Sequence, residues 1–233
     1  MKQFEYQLDK LRKRIIKMSS LVDEQLELAI RAVHEEKPEL AKLAMEMDDK
    51  VDKFDLKIEK QCQKIIALNQ PVAMDLRVII SALTINTNLE RIGDNAANVA
   101  ENFLLFGKKP HFFDRTHFSE MSKTVRDMVR KSIDSYIDND VNLAENVIRT
   151  DNIIDDLNVE NHQTLIEIMK EDPNNIEEAV AQLVISRHLE RAGDHATNIA
   201  EDIIFIVEAN LIKHKYEKYI FSEDDEEDED IKQ

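Results

Sequence analysis

Leu89 to Glu101 reads LERIGDNAANVAE, and one hundred residues later Leu189 to Glu201 reads LERAGDHATNIAE, identical at nine of thirteen positions. A pattern carried twice at this separation predicts one fold built twice. At about 100° per residue on a helix, Glu90, Asp94, Asn98 and Glu101 share one stripe. Ile85, Leu89, Ile92, Ala96, Val99 and Phe103 fall on the opposite side, as an apolar seam. Such a stripe has a cost, because like charges four residues apart destabilise a helix by about 0.2–0.5 kcal/mol. A mid-helix glycine costs about 1 kcal/mol more than alanine, yet two of the three glycines are Gly93 and Gly193. A solvated face with close helix contact explains one such stretch. Paired carboxylates and a glycine in both halves favour a site.

The rest of the chain repeats with it. A shift of 103 aligns Met18-Ser19 with Met121-Ser122, Val22 with Val125, Asp48 with Asp151 and Asp52 with Asp155; after the next turn the shift becomes 100. A period near 100 exceeds the roughly 20–50 residues of solenoid repeats, so this is a duplicated domain. With 3 Gly, 4 Pro and no Trp in 233 residues, the expectation is an all-α chain of two tandem three-helix bundles. Helical spacing predicts helices over about 4–33, 38–66 and 72–106, with Pro38 opening the second and Gly107 capping the third. The expected organisation is a first bundle over 1–106, a linker over 107–117, a second bundle over 118–210 and an extension over 211–233. In that extension Glu223 to Asp230 are eight consecutive acids, a block expected to be a disordered, solubilising tail.

Antiparallel hairpins bring the acids together. Asp52 with Glu90, and Asp48 with Asp94, are symmetric about Pro71. Asp155 with Glu190, and Asp151 with Asp194, are symmetric about a point beside Pro173. Each half therefore places four carboxylates at one height on facing helices, where they repel unless protonated or neutralised by cations. Oxygen-only ligands suit Mg²⁺, Mn²⁺, Ca²⁺ or iron in an open site. Asn98, Glu101, Asn198 and Glu201 lie on the same stripes as further candidates. Because the stripe opposes the apolar seam, the cluster is expected at the surface. No E-x-x-H spacing of the di-iron enzymes occurs, and no positioned acid or base marks a catalytic pocket. His195 lies about 100° round the helix from Asp194 and reads as a flank residue.

A net charge of −17 excludes nucleic acid as an expected partner, since phosphate backbones need clustered Lys and Arg. It favours metal ions or basic protein surfaces. The single Cys62 forbids an internal disulfide and fits a reducing compartment. The N-terminal MKQFEYQLDKLRKRI is amphipathic and charged, unlike a signal peptide. No run approaches the roughly 20 apolar residues of a membrane span, so any membrane contact is peripheral.

The two ERxGD stretches, the two DxxxD pairs, and Gln70-Pro71 followed by Asp75-Leu76-Arg77 resemble the PhoU family of phosphate-signalling proteins, over roughly residues 1–210. The resemblance implies surface metal clusters on Asp48, Asp52, Glu90, Asp94, Asp151, Asp155, Glu190 and Asp194. The metals would be divalent or trivalent ions: iron, zinc, manganese or magnesium. It also implies a cytoplasmic, non-enzymatic negative regulator of the phosphate response, working as a homodimer. Its partners would be the phosphate transporter ATPase and a phosphate-sensing histidine kinase. A carboxylate-bound metalloenzyme and a metal-free helical adaptor remain the alternatives. The second half departs from the pattern, with Pro173-Asn174-Asn175-Ile176-Glu177-Glu178 in place of the P-x-x-x-DLR stretch, and His195 where the first half has Asn95.

Overall fold

The computed structural model describes residues 2–209. The acidic run at 223–230 lies outside the described residues. Among the described residues six α-helices form two antiparallel three-helix bundles: α1 (Lys2–Glu35), α2 (Pro38–Asn69) and α3 (Ala73–Leu104), then α4 (Phe118–Asp138), α5 (Val141–Glu171) and α6 (Ile176–Glu208). No strand occurs among the described residues. The breaks follow the chemistry read from the sequence. Pro38 opens α2, where its missing N–H costs nothing. α3 ends earlier than expected, at Leu104 with right-handed Leu105 as its cap, and Gly107 follows two residues on with φ +68°, its amide donating to the Phe103 carbonyl as the chain turns away. The expected apolar spacing of α1 is the observed core face: Leu11, Ile15, Met18, Val22, Leu26 and Ala29 are all buried. Each large aliphatic side chain withdrawn in this way contributes roughly 1.5–3 kcal/mol.

The halves meet along α3 and α6, which run antiparallel and give one continuous apolar core. Two polar contacts cross this seam. His195 Nδ1 lies 3.0 Å from Asn88 Oδ1, and His188 Nδ1 lies 2.9 Å from Asn95 Oδ1. With the proton on Nδ1, each imidazole donates to an amide oxygen. Positions 88 and 188, and 95 and 195, are equivalent in the repeat, so the two contacts are mates about a local two-fold. Burial holds both imidazoles below the usual histidine range, His195 at about 4, so they stay neutral there. The segment joining the halves is pinned. Phe112 packs with Leu165 and Ile168, Phe113 packs against Phe118, and both Phe112 and Phe113 are buried.

A second contact about the same local two-fold is charged. Arg126 pairs with Glu27, and Arg130 Nε lies 3.1 Å from Asp23. Asp23 and Arg126 are equivalent positions, as are Glu27 and Arg130, so the first half is acidic where the second is basic. Pairing either half with a copy of itself would set like charges together, which disfavours that assembly. Reversing Arg126 and Arg130 to Glu is expected to lower stability by about 1–2 kcal/mol, given roughly 0.2–1 kcal/mol per exposed pair and the new repulsion. Adding Asp23→Arg and Glu27→Arg should restore it. Urea denaturation of the three proteins checks this, and a fourfold variant no better than the double one would overturn it.

Candidate metal centre

α2 faces α3, and α5 faces α6, with the carboxylates at the levels the turn midpoints predict. In the second half Asp155, Glu190 and Asp194 each offer a carboxylate oxygen within 4.8 Å of the others. Asp151, one turn before Asp155, acts on Glu190 and is acted on by Asp194. Two oxygens of this group, Asp151 Oδ1 and Glu190 Oε2, are buried without a hydrogen-bond partner, a costly condition for an acceptor. Burial pushes Glu190 up to about 7, helped by Asp194 and opposed by Arg187. Burial pushes Asp151 up to about 6, helped by Asp194 and Asp155. Asp194 is raised by burial and by Asp155.

The first half is looser. Burial raises Asp48, Asp52 and Glu90, with Asp94 adding to the shift of Asp48 and Glu90. Arg91 lies 3.3 Å from Glu90 and 3.2 Å from Asp94, taking up part of the charge. Asp48 accepts from Gln25 Nε2 at 3.2 Å. Among the described residues, the three oxygens within 4.8 Å occur only in the second half.

The expectation of a purely surface cluster needs correction at Glu190, which is 8% exposed. α6 packs on α4, α5 and α3 together, so the stripe lies in an open cleft, with Glu190 covered while Asp155 stays exposed as expected. The further candidates on the stripes differ among themselves. Asn98 turns its amide back to donate to the Asp94 carbonyl at 2.7 Å. Glu201 acts on Asp151 from the same cleft. Glu101 acts across the seam on His188, and Asn198 is half-buried on its stripe. His195 faces Asn88 of the other half, so its ring is engaged away from the acids.

Supporting residues escaped the sequence reading. Gln25 comes from α1, a helix the hairpin argument did not include. Arg187, 2.6 Å from Glu190 Oε1, stands where the first half has Thr87, and the shift of 100 could have exposed it. One turn away, Asn86 Nδ2 donates to Asp55 Oδ1 at 2.5 Å, and Ser186 donates to Asn158 Oδ1 at 3.1 Å. These are equivalent positions and brace the two helix pairs alike.

The glycines divide. A Cβ on Gly93 would come 2.9 Å from Gln25 Oε1 and 3.3 Å from Val51 Cγ1, whereas one on Gly193 meets nothing closer than 3.7 Å. Gln25 is fully buried, so its amide cannot swing out without losing Asp48. Gly193→Ala is therefore expected to stabilise by about 0.5–1 kcal/mol through helix propensity. Gly93→Ala should lose that gain and about 1 kcal/mol more through the displaced Gln25 hydrogen bond. Thermal melts of the two variants check the order, and equal shifts would overturn it.

An oxygen-only donor set with two orphaned buried oxygens fits a hard cation, which would satisfy both and cancel the repulsion. Asp151, Asp155, Glu190 and Asp194 are the residues placed to hold it in the second half. Cys62 offers no competing chemistry, being buried with its thiol pushed up to about 12.

Fold and site together define a duplicated all-helical protein with a carboxylate cleft in each half. The PhoU domain matches residues 15–103 and again 118–203. The chain is 37% identical to the phosphate-specific transport system accessory protein PhoU homolog of Aquifex aeolicus (strain VF5), over 91% of this chain and 96% of that protein. It is 33% identical to the Pseudomonas putida homolog of the same description, over 91% and 83%. The crystal structure of PhoU from Pseudomonas aeruginosa superposes with a TM-score of 0.85 at 32% identity, covering 89% of this chain and 100% of that one. The phosphate transport system regulatory protein PhoU from Streptococcus pneumoniae superposes with a TM-score of 0.81 at 26% identity, covering 89% and 98%. The chain belongs to the PhoU family.

Proposed function

We propose that this chain is an accessory regulator of phosphate-specific transport, a non-enzymatic negative regulator whose carboxylate clefts hold metal clusters needed for docking. The observation that carries the reading is family membership over nearly the whole chain, since the relatives are accessory proteins of that transport system. The cleft chemistry supports the metal part. Divalent or trivalent ions bound by Asp48, Asp52, Glu90 and Asp94, and by Asp151, Asp155, Glu190 and Asp194, would reverse the local field of a −17 protein. Such a surface can approach a membrane complex, although no helix among the described residues is long and apolar enough to cross a membrane. The proposed partners are the transporter ATPase and a phosphate-sensing histidine kinase at the cytoplasmic face, met by a homodimer.

The test is a deletion strain grown with ample phosphate and complemented with wild type or with all eight positions changed to Ala. Wild type should silence the phosphate-starvation genes, and a folded, metal-free eightfold variant should leave them on. Equal silencing by both would make the protein a metal-free adaptor, with Asp75-Leu76-Arg77 the next surface to change. Turnover of phosphate esters by the metal-loaded protein would favour the enzyme reading instead.

A further inference from the structure

Two features of the chain are left unused by the carboxylate clefts: the basic start of α1 and the acidic run near the C-terminus. The first thirteen residues of α1, 2–14, have no counterpart in α4, which begins at Phe118, the equivalent of Ile15. This overhang lies along the C-terminal half of α2. Gln61 Nε2 donates to the Gln7 carbonyl at 2.9 Å, Asn69 Nδ2 donates to Gln7 Oε1 at 2.9 Å, and Arg14 Nη1 donates to Gln61 Oε1 at 2.6 Å. Between the two helices runs a groove of about 450 Å³, lined by Tyr6, Lys10, Arg14, Lys57, Lys60 and Lys64 together with glutamines and Ile65. Five cations and no carboxylate line it, in a chain with 48 acids and 31 bases. None of the five takes part in an ion pair among the described residues. A concave surface of one sign focuses its field and draws the opposite charge.

The chain supplies that charge. Glu223 to Asp230 are eight consecutive acids. α6 ends at Glu208 beside the overhang, where Ile206 shares a small cavity with Leu8, Asp9 and Arg12 of α1. The groove lies on the neighbouring face of the same helix, about one helix diameter of 10–12 Å away. Residues 210–222 separate the end of the described chain from the acidic run. Thirteen residues span up to roughly 43 Å when extended, and about 20 Å as a flexible coil. A tether of this length presents the acids at a millimolar effective concentration.

We propose that the segment Glu223–Asp230 seats in the groove between the α1 overhang and α2, with its carboxylates on Lys10, Arg14, Lys57, Lys60 and Lys64. The contact is electrostatic and solvent-lined, so it loosens as salt rises. While seated it withholds the groove from any other polyanion.

Lysine acetylation read by mass spectrometry tests this on the full chain. The comparison is a full-length variant with every Glu and Asp in 223–230 changed to Gln or Asn. At 50 mM salt Lys10, Lys60 and Lys64 should react at least threefold faster in the neutralised variant, while exposed Lys42 and Lys123 react alike in both. In wild type the same three should gain reactivity at 500 mM salt. Equal reactivity of the groove lysines in both chains overturns the proposal. So does protection that appears only with phosphatidylglycerol vesicles, which would assign the groove to a membrane surface. Protection that grows with protein concentration places the acids on a second copy and overturns the intramolecular contact.

Discussion

Changing Asp155, Glu190 and Asp194 to Ala is expected to abolish the tighter class of metal binding and to leave the weaker class intact. The matching change of Asp52, Glu90 and Asp94 should do the reverse. The halves differ in how far their donors are organised before metal arrives. Three oxygens already lie within 4.8 Å of one another in the second half, and two oxygens there are buried without partners. A cation meets these oxygens largely in place and must displace one competitor, Arg187 from Glu190 Oε1. In the first half a cation must first displace Arg91 from Glu90 and Asp94 and compete with Gln25 for Asp48. Each displaced charge-assisted hydrogen bond is worth about 1.5–3 kcal/mol, so tenfold or more should separate the two affinities. Isothermal titration of the demetallated chain with Mn²⁺ checks this, as does metal analysis of the two triple variants. A single class of sites in wild type would overturn the asymmetry. Loss of all metal from either variant would overturn the independence of the halves.

Much of this arrangement was legible in the sequence, because it follows from helix periodicity and turn position. A duplicated ERxGD stretch fixes which carboxylates share a helix face, and Pro71 and Pro173 fix which heights meet across a hairpin. The three-helix bundles follow from the same seam of Leu and Ile positions. Hairpin geometry relates only neighbouring helices, and contacts from a third helix lie beyond it. Gln25 reaches Asp48 from α1, and nothing in its own segment marks it. The burial of Glu190 depends on α6 touching three helices at once, which a two-helix argument treats as an open face. The angle of His195 on its helix marks it only as a flank residue. Its partner Asn88 belongs to the other half, so its place in the seam between the bundles needed the packing of α3 on α6. Gly93 and Gly193 looked alike in sequence, and only the presence of Gln25 on one side, against Met128 on the other, separates them.

The metal-free protein is expected to lose stability as pH rises from about 6.5 to 8, and metal should return it. Glu190 and Asp151 hold protons in the folded chain up to about 7 and about 6, while unfolded carboxyls release them near 4. Between those values the folded chain binds protons that the unfolded chain lacks, so stability falls with pH across that window and levels off above it. The penalty is on the order of 2 kcal/mol for Glu190 and less for Asp151, after discounting for water at the mouth of the cleft. His188 and His195 act oppositely, since their lowered values favour folding as pH rises toward 6.5. They flatten the lower part of the curve and leave the region from 6.5 to 8 to the carboxyls. Glu190→Gln with Asp151→Asn removes the carboxyl contribution. It should match wild type at pH 4 and exceed it by about 2–3 kcal/mol at pH 8, both without metal. A divalent ion binds only the deprotonated cleft, so its stabilisation of wild type should be near zero at pH 5 and grow toward pH 8, while the double variant gains little. Thermal melts in chelator and in Mn²⁺ at pH 5, 6, 7 and 8 measure both curves. A wild type whose melting temperature in chelator is as high at pH 8 as at pH 6.5, or a double variant with no advantage at pH 8, would show that these two carboxyls are not held protonated by the fold.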